Sequence, residues 1–427
     1  MTKLVFLVLC LPRLMLCLGA VRRWRGDESL RSHHELNSAP HLERDQNRTK
    51  QSEMQSALQA AVKRPFPESI LSPLCIFLCG AREFPFAPPL RILSVMKRPM
   101  QILLAALSAS LMHAQPQFET ADVSGLRWWK GNTHTHTTNS DGDTSPDTVA
   151  TWYREHGYNF LVLSDHNFFT DPSQYRYLED SSFILISGEE LTSSFRSKPV
   201  HVNGLNIPHI LRPQKDITFL GTIQMNIDTI RNVRGVPHVN HPNFRWAFDH
   251  RILLYVQDYR LLEIFNGHPQ VHNLGGGDRY SLEQIWDTLL TKGKRIYGIA
   301  VDDAHHFKGE FARSRSNPGR GWICIRARRL DPQELMQNLE EGLFYASTSV
   351  TLDDVVVRAR SIEVVVRQEG DFRYKIAFIG DGGTVLQTSH GTRATFTLRP
   401  GLTYVRARVT DSGGGQAWVQ PVFVKRQ

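Results

Sequence analysis

Cysteine is nearly absent where it would matter. Of the five cysteines in 427 residues, Cys10, Cys17, Cys75 and Cys79 precede residue 96, and only Cys324 follows. A single thiol excludes a disulfide framework and a thiolate zinc site from the later chain. Cys324 sits in the apolar run Trp322–Ala327 and reads as a small buried hydrophobe. Excess charge is lacking there too. The first 114 residues hold 15 Lys and Arg against 8 Asp and Glu, leaving 35 against 34 beyond them, so the net +8 lies mostly at the front. No basic footprint for a nucleic-acid partner is expected of the later chain. There is no nucleophile elbow and no Ser-His-Asp order, and Gly275-Gly276-Gly277 lacks the strand–helix setting of a phosphate loop.

Apolar runs are short. Met96-Lys97-Arg98 opens a basic start, Met100–Met112 is apolar apart from Gln101, and a cleavage point follows near Ala114-Gln115. That is the plan of a secretory signal peptide, too short to span a bilayer permanently. A signal peptide at residues 96–114 implies that Met96 is the functional start and that residues 1–95 are a spurious or disordered extension. The protein is then expected to be exported, periplasmic or extracellular, with no membrane partner after cleavage.

What is there begins at Arg127. Short apolar runs at Phe160–Leu163, Phe183–Ile186, Val200–Ile207, Gly235–Asn240, Leu261–Phe265, Ile296–Val301 and Trp322–Ala327 read as buried strands. Helices are expected from Ser145-Pro146 to Gly157, from the capping box at Ser281 to Gly293, and from Asp331 to Gly342. Alternation of this kind predicts an α/β domain over 125–349 built on a parallel sheet. Residues 350–427 change texture to short strands with Gly/Asp/Ser turns, a small antiparallel β module.

The polar residues gather just after the apolar runs. His134 and His136 follow the first strand, and their spacing of two turns both imidazoles to one side. Asp141, Asp165-His166, Glu189-Glu190, His241-Pro242, and Asp303 with His305 follow in turn. Functional groups collect at strand C-termini in barrels of this class. His201 is the exception, since it begins its run and requires a reversed or irregular strand. Imidazoles beside carboxylates are the donor set of a borderline transition metal such as Zn, Mn or Fe.

This ordered set, His-x-His with Ser-Asp-Gly, then Ser-Asp-His-Asn, Gly-x-Glu, His-Pro and Asp-Ala-His, resembles the polymerase-and-histidinol-phosphatase (PHP) superfamily over about Trp128–Ser349. The resemblance implies a distorted (βα)7 barrel with two or three divalent metal ions at its mouth. It implies as ligands His134, His136, Asp141, His166, Glu190, His201, His241, Asp303 and His305. Glu189 competes with Glu190 and His238 with His241; the spacing from Gly188 and the proline after His241 favour Glu190 and His241. Asp165 is expected to orient a ligand or to share catalysis, and His305 to protonate a leaving group. Trp152–Gly157 and Ala417–Pro421 are also similar to a branch containing carbaryl-type carbamate hydrolases.

The implied reaction is hydrolysis of a small-molecule ester by metal-activated water. Phosphate mono- or diesters are expected first, with Arg313, Arg315 and Arg320 available to clamp an anion. A carboxyl or carbamate ester is the alternative, favoured by Phe168, Phe169, Phe244, Trp246 and Phe248 near the ligands. A non-catalytic metal-binding scaffold is the third reading, opposed by the cost of keeping so many charged groups.

Overall fold

Strands β1 (Arg127–Asn132), β2 (Phe160–Val162) and β3 (Ile184–Ile186) lie side by side and parallel. The computed structural model describes residues 115–425, so the expectations for residues 1–95 and 96–114 fall outside the described residues. Helix α1 (Pro146–Glu155) connects β1 to β2, with Pro146 in its first turn and Gly157 beyond its end at φ +73°. β4 (Gly188–Phe195) and β5 (Lys198–Leu205) then form a hairpin. Its two-residue turn, Arg196-Ser197, is left-handed at both positions, with φ of 45° and 62°. That geometry matches the twist of a tight hairpin and leaves no room for a crossover helix.

Helix α2 (Phe219–Asn232) leads to β6 (Val236–Val239), and β7 (Leu261–Asn266) and β8 (Tyr297–Val301) follow in parallel beside it. The short α3 (His250–Leu253) and the longer α4 (Leu282–Thr291) lie in the connections. α4 opens on the Ser281–Gln284 capping box read from the sequence. β9 (Trp322–Ala327) runs antiparallel to β1, and α5 (Pro332–Glu340) starts where the Asp331 carboxylate accepts the Glu334 N–H. β10 (Phe344–Ser347) returns along β9.

The remaining strands are β11 (Leu352–Arg358), β12 (Ser361–Val366), β13 (Tyr374–Gly380), β14 (Thr384–His390), β15 (Arg393–Thr397), β16 (Tyr404–Asp411) and β17 (Gln416–Phe423). They pair only antiparallel. Three sheets result: β14-β13-β16-β17-β10-β9-β1-β2-β3, β4-β5-β6-β7-β8, and β11-β12-β15.

The molecule is thus mixed α/β, and two expectations need correcting. The large sheets are mixed, because the β4–β5 turn and the β9 return reverse the chain. No closed sheet is present among the described residues. The nine-stranded and five-stranded sheets instead meet through single bridges, Thr135 with Ala304 and His166 with Glu190. Both sheets supply the main core, in which Phe160, Val202, Leu261, Ile299 and Ile325 are fully buried.

Candidate metal centre

Both bridges between the sheets fall on the polar segments. Past β1 the chain stays extended, so His134 and His136 turn to the same side and are fully buried, with ring centroids 5.2 Å apart. The Asn132 carboxamide fixes this segment, accepting the His134 N–H at 2.9 Å and donating to the Gly321 carbonyl at 2.9 Å. His166 follows β2, and Glu190 lies near the start of β4. His201 lies in β5, opposite Thr192 of β4; the reversal at the hairpin brings it to the same end as the others. His241 follows β6, while Asp303 and His305 follow β8. Asp303 and Asn167 hold positive φ, 49° and 50°, a backbone strain common beside functional groups.

The structure brings all nine expected ligand residues together. Their donor atoms form four overlapping groups able to hold a metal ion: His134, His241 and Asp303; His134, His136 and Glu190; His166, Glu190 and His201; and His136, Asp141, His166 and His305. Glu190 is central. Its Oε2 lies 3.5 Å from Nε2 of both His134 and His136 and 2.7 Å from His166 Nδ1. Its Oε1 lies 2.9 Å from His201 Nδ1 and 3.5 Å from His241 Nε2. Asp303 Oδ1 sits 3.4 Å from His134 Nε2 and 3.2 Å from His136 Nε2. Asp141 is the outermost donor, more than half exposed, with Oδ1 3.2 Å from His305 Nε2.

These donors fit a cation better than they fit one another. His134 Nε2, His136 Nε2, Glu190 Oε2 and His201 Nδ1 are buried, and none makes a well-aligned hydrogen bond, the 2.7 and 2.9 Å approaches of Glu190 to His166 and His201 included. Each such group costs roughly 1–3 kcal/mol if nothing meets it. Donor atoms 3.2–3.5 Å apart match neighbours around one ion with bonds near 2.0–2.2 Å. Burial alone would raise Glu190 and Asp303, but the facing imidazoles hold both well below the ordinary carboxylate range. Burial, aided by the His305 charge, pushes His136 down to about 4, leaving it neutral at pH 7. Ionised carboxylates and a neutral imidazole are the ligand-competent forms.

Asp165 stands behind the centre. Its oxygens accept from Thr137 N–H (2.7 Å), Ser140 Oγ (2.7 Å), Thr137 Oγ1 (2.9 Å) and Thr170 Oγ1 (2.8 Å), bracing the loop that carries Asp141. Asp302 likewise accepts from Tyr153 and from the Gly319, Arg320 and Gly321 N–H groups. Glu189 accepts the Leu211 N–H and lies outside the four donor groups. The side chains of Arg315 and Arg320 are tied to backbone carbonyls of Lys308, Gly267 and Ala312. Phe244 packs its ring 5.2 Å from that of His241 and 6.3 Å from that of His201.

One residue of the site escapes the sequence reading. Glu263, in β7 and fully buried, has Oε1 2.7 Å from His134 Nδ1, while Oε2 accepts the His241 N–H at 2.8 Å. The available signal is a lone carboxylate inside the apolar run Leu261–Phe265. His238 lies against it, Nε2 3.4 Å from Glu263 Oε1, and outside the donor groups that include His241.

No protein-family model matches the sequence, and no curated protein matches it either. Solved structures similar to it include a two-domain protein containing a predicted PHP-like metal-dependent phosphoesterase from Bacteroides vulgatus. That match has 15% identity and a TM-score of 0.42, and covers 71% of this chain and 98% of the other. A candidate metal-dependent phosphoesterase from Bifidobacterium adolescentis matches at 13% identity and a TM-score of 0.33, covering 44% and 89%. An amidohydrolase from Chromobacterium violaceum with bound sulfate and no metal matches at 14% and 0.32, covering 43% and 93%. These are partial likenesses of backbone, and the chemistry of the centre rests on its own geometry.

Proposed function

We propose that this chain is an exported, metal-dependent hydrolase of PHP type acting on small phosphate mono- or diesters. One observation carries the metal reading: Glu190 stands between two sets of imidazoles, and its Oε2, Nε2 of His134 and His136, and Nδ1 of His201 are buried without a well-formed hydrogen bond. Two or three divalent ions, Zn, Mn or Fe, suit nine His and carboxylate donors with no thiolate among them. An ion held there would supply Lewis acidity and lower the pKa of a water to about 7.

The chain's own residues do the rest. His134, His241 and Asp303 form one buried donor group and His134, His136 and Glu190 another, from which Glu190 spans toward His166 and His201. Asp165 braces the 137–140 loop through its hydrogen bonds and orients the outer donors without reaching the reacting groups. His305, paired with Asp141 near the open side, is positioned to hand a proton to a leaving oxygen.

A carboxyl or carbamate ester is the second reading, and particular contacts favour it. Arg315 and Arg320 spend their guanidinium groups on backbone carbonyls, while Phe244 presents an aromatic wall beside His241 and His201. The test is hydrolysis by the metal-loaded chain of nitrophenyl phosphate mono- and diesters beside a naphthyl carbamate. Chelator-sensitive phosphate turnover is the expected result; carbamate turnover alone would move the substrate to the second reading. His136→Ala and Asp303→Ala should each lose turnover and bound metal together, beyond the ~10–100-fold that a lost outer partner costs. Full activity in both variants would reject the centre.

A further inference from the structure

Glu263 carries a cost that its strand does not explain. Leu261, Leu262 and Ile264 around it are buried apolar residues, and Glu263 itself is fully buried. An isolated carboxylate in such a place costs several kcal/mol unless its partners are well placed. Here they are, and all belong to the donor side of the sheet. Oε1 meets His134 Nδ1, Oε2 accepts the His241 N–H, and Oε2 also accepts Asn266 Nδ2 at 2.9 Å. Asn266 Nδ2 in turn reaches Asp303 Oδ2 at 3.1 Å.

The three residues so touched are His134, His241 and Asp303, which together make one of the four donor groups. A carboxylate accepts only, so His134 must carry a proton on Nδ1, and in the neutral form that binds a metal its lone pair then falls on Nε2. Nε2 is the atom left buried without a partner. Resting on the metal-centre reading, we propose that Glu263, aided by Asn266, is the positioning residue that makes His134, His241 and Asp303 the tightest metal position. It does so by fixing the His134 tautomer and the placement of the other two. The groups that include Asp141 or His166 hold metal more loosely because they reach solvent, and in the equally buried His134–His136–Glu190 group Glu263 touches only His134.

The experiment is competitive titration of the chelator-treated full chain with Zn(II), and the absorption spectrum of its Co(II) form. Glu263→Gln should weaken the tightest step by about 10–100-fold, the usual loss when a ligand's outer partner is removed. It should also shift the Co(II) bands, while Asp141→Asn leaves the tightest step unchanged. Asn266→Ala retains the carboxylate and cuts its link to Asp303, together with the bond Asn266 Oδ1 accepts from the His268 N–H, so it should weaken the same step less. It decides the matter if Glu263→Gln does not fold. A Glu263→Gln protein of lowered Tm with unchanged Zn(II) affinity and spectrum would make Glu263 a structural plug and overturn the proposal. So would a loss spread equally over every binding step. Absence of Zn(II) binding by the unaltered chain would instead remove the metal reading on which the proposal rests.

Discussion

At Gly131 only a hydrogen atom fits. A Cβ built there would lie 2.2 Å from the Phe160 ring, which is itself fully buried. This glycine precedes Asn132, whose carboxamide holds the His134 backbone, so the close packing of β1 on β2 sets the height of the first two donors. Gly131→Ala should cost about 1–3 kcal/mol, as overpacked cores do. A shifted urea midpoint with an unchanged slope would register it; an unshifted midpoint would mean that Phe160 moves freely. At this scale much of the centre was legible, because a spacing of two on extended chain leaves a local trace. His134 and His136 needed only that. Glu263 left none, since a single carboxylate in an apolar strand has no periodicity and its partners are far away in sequence. His201 was visible as a residue, but its reversed strand was not: Arg196-Ser197 makes a tight turn without the Gly or Asn that usually announces one.

Between elements, the firmest polar tie joins α4 to β16. The Arg406 side chain, buried, donates to both oxygens of Asp287 at 2.8 and 2.6 Å and meets Glu283 Oε1 at 2.8 Å. Arg408 donates to Glu283 Oε2 at 2.7 Å. Burial would raise the Glu283 carboxyl, but Arg406 and Arg408 hold it below its ordinary value of 4.5. A lowered folded value means stability that is fully present above 4.5 and drains away as pH falls through the folded value. Glu283→Gln should therefore be less stable than the unaltered chain at pH 7, by roughly 1–3 kcal/mol, because Arg406 keeps Asp287 while Arg408 loses its carboxylate. The gap should narrow as pH falls below the ordinary value of 4.5, read from denaturant midpoints at falling pH; a constant gap would deny the ion pair its role. α4 and α5 were legible from their caps. α2 was not, because Gly221 and its polar residues blur the apolar stripe. β14, largely exposed, carries no buried alternation to read.

Among the described residues, β13, β14, β16 and β17 of the antiparallel tail share the nine-stranded sheet with earlier strands. β17 pairs with β10 through Tyr345–Val419, Ala346–Trp418 and Ser347–Ala417, and Phe118 near the start of the described residues bridges to Val424 near their end. No helix among the described residues is long and apolar enough to cross a membrane. Cutting after residue 349 would strip β10 of its β17 partner, leaving it β9 alone, and open the core around Trp418 and Tyr404. The fragment 115–349 should therefore lack a cooperative thermal transition that 115–427 shows; an equally sharp transition in both would make the tail dispensable. The texture change after Val350 was plain in the sequence. The joining of the two parts was not, since pairing between distant strands leaves no mark in either one.

The two single bridges between the large sheets have a consequence for how the protein meets its surroundings. His134, His136 and His166 hang from one sheet, and Glu190, His201, His241, Asp303 and His305 from the other. Whatever these side chains grip is gripped from both halves at once, like a clasp across a seam that backbone bonding leaves nearly unstitched. Binding free energy at such a place adds directly to cohesion of the fold. Scarcity of the right ion would then be felt as a loosening of the protein as well as a loss of its reaction.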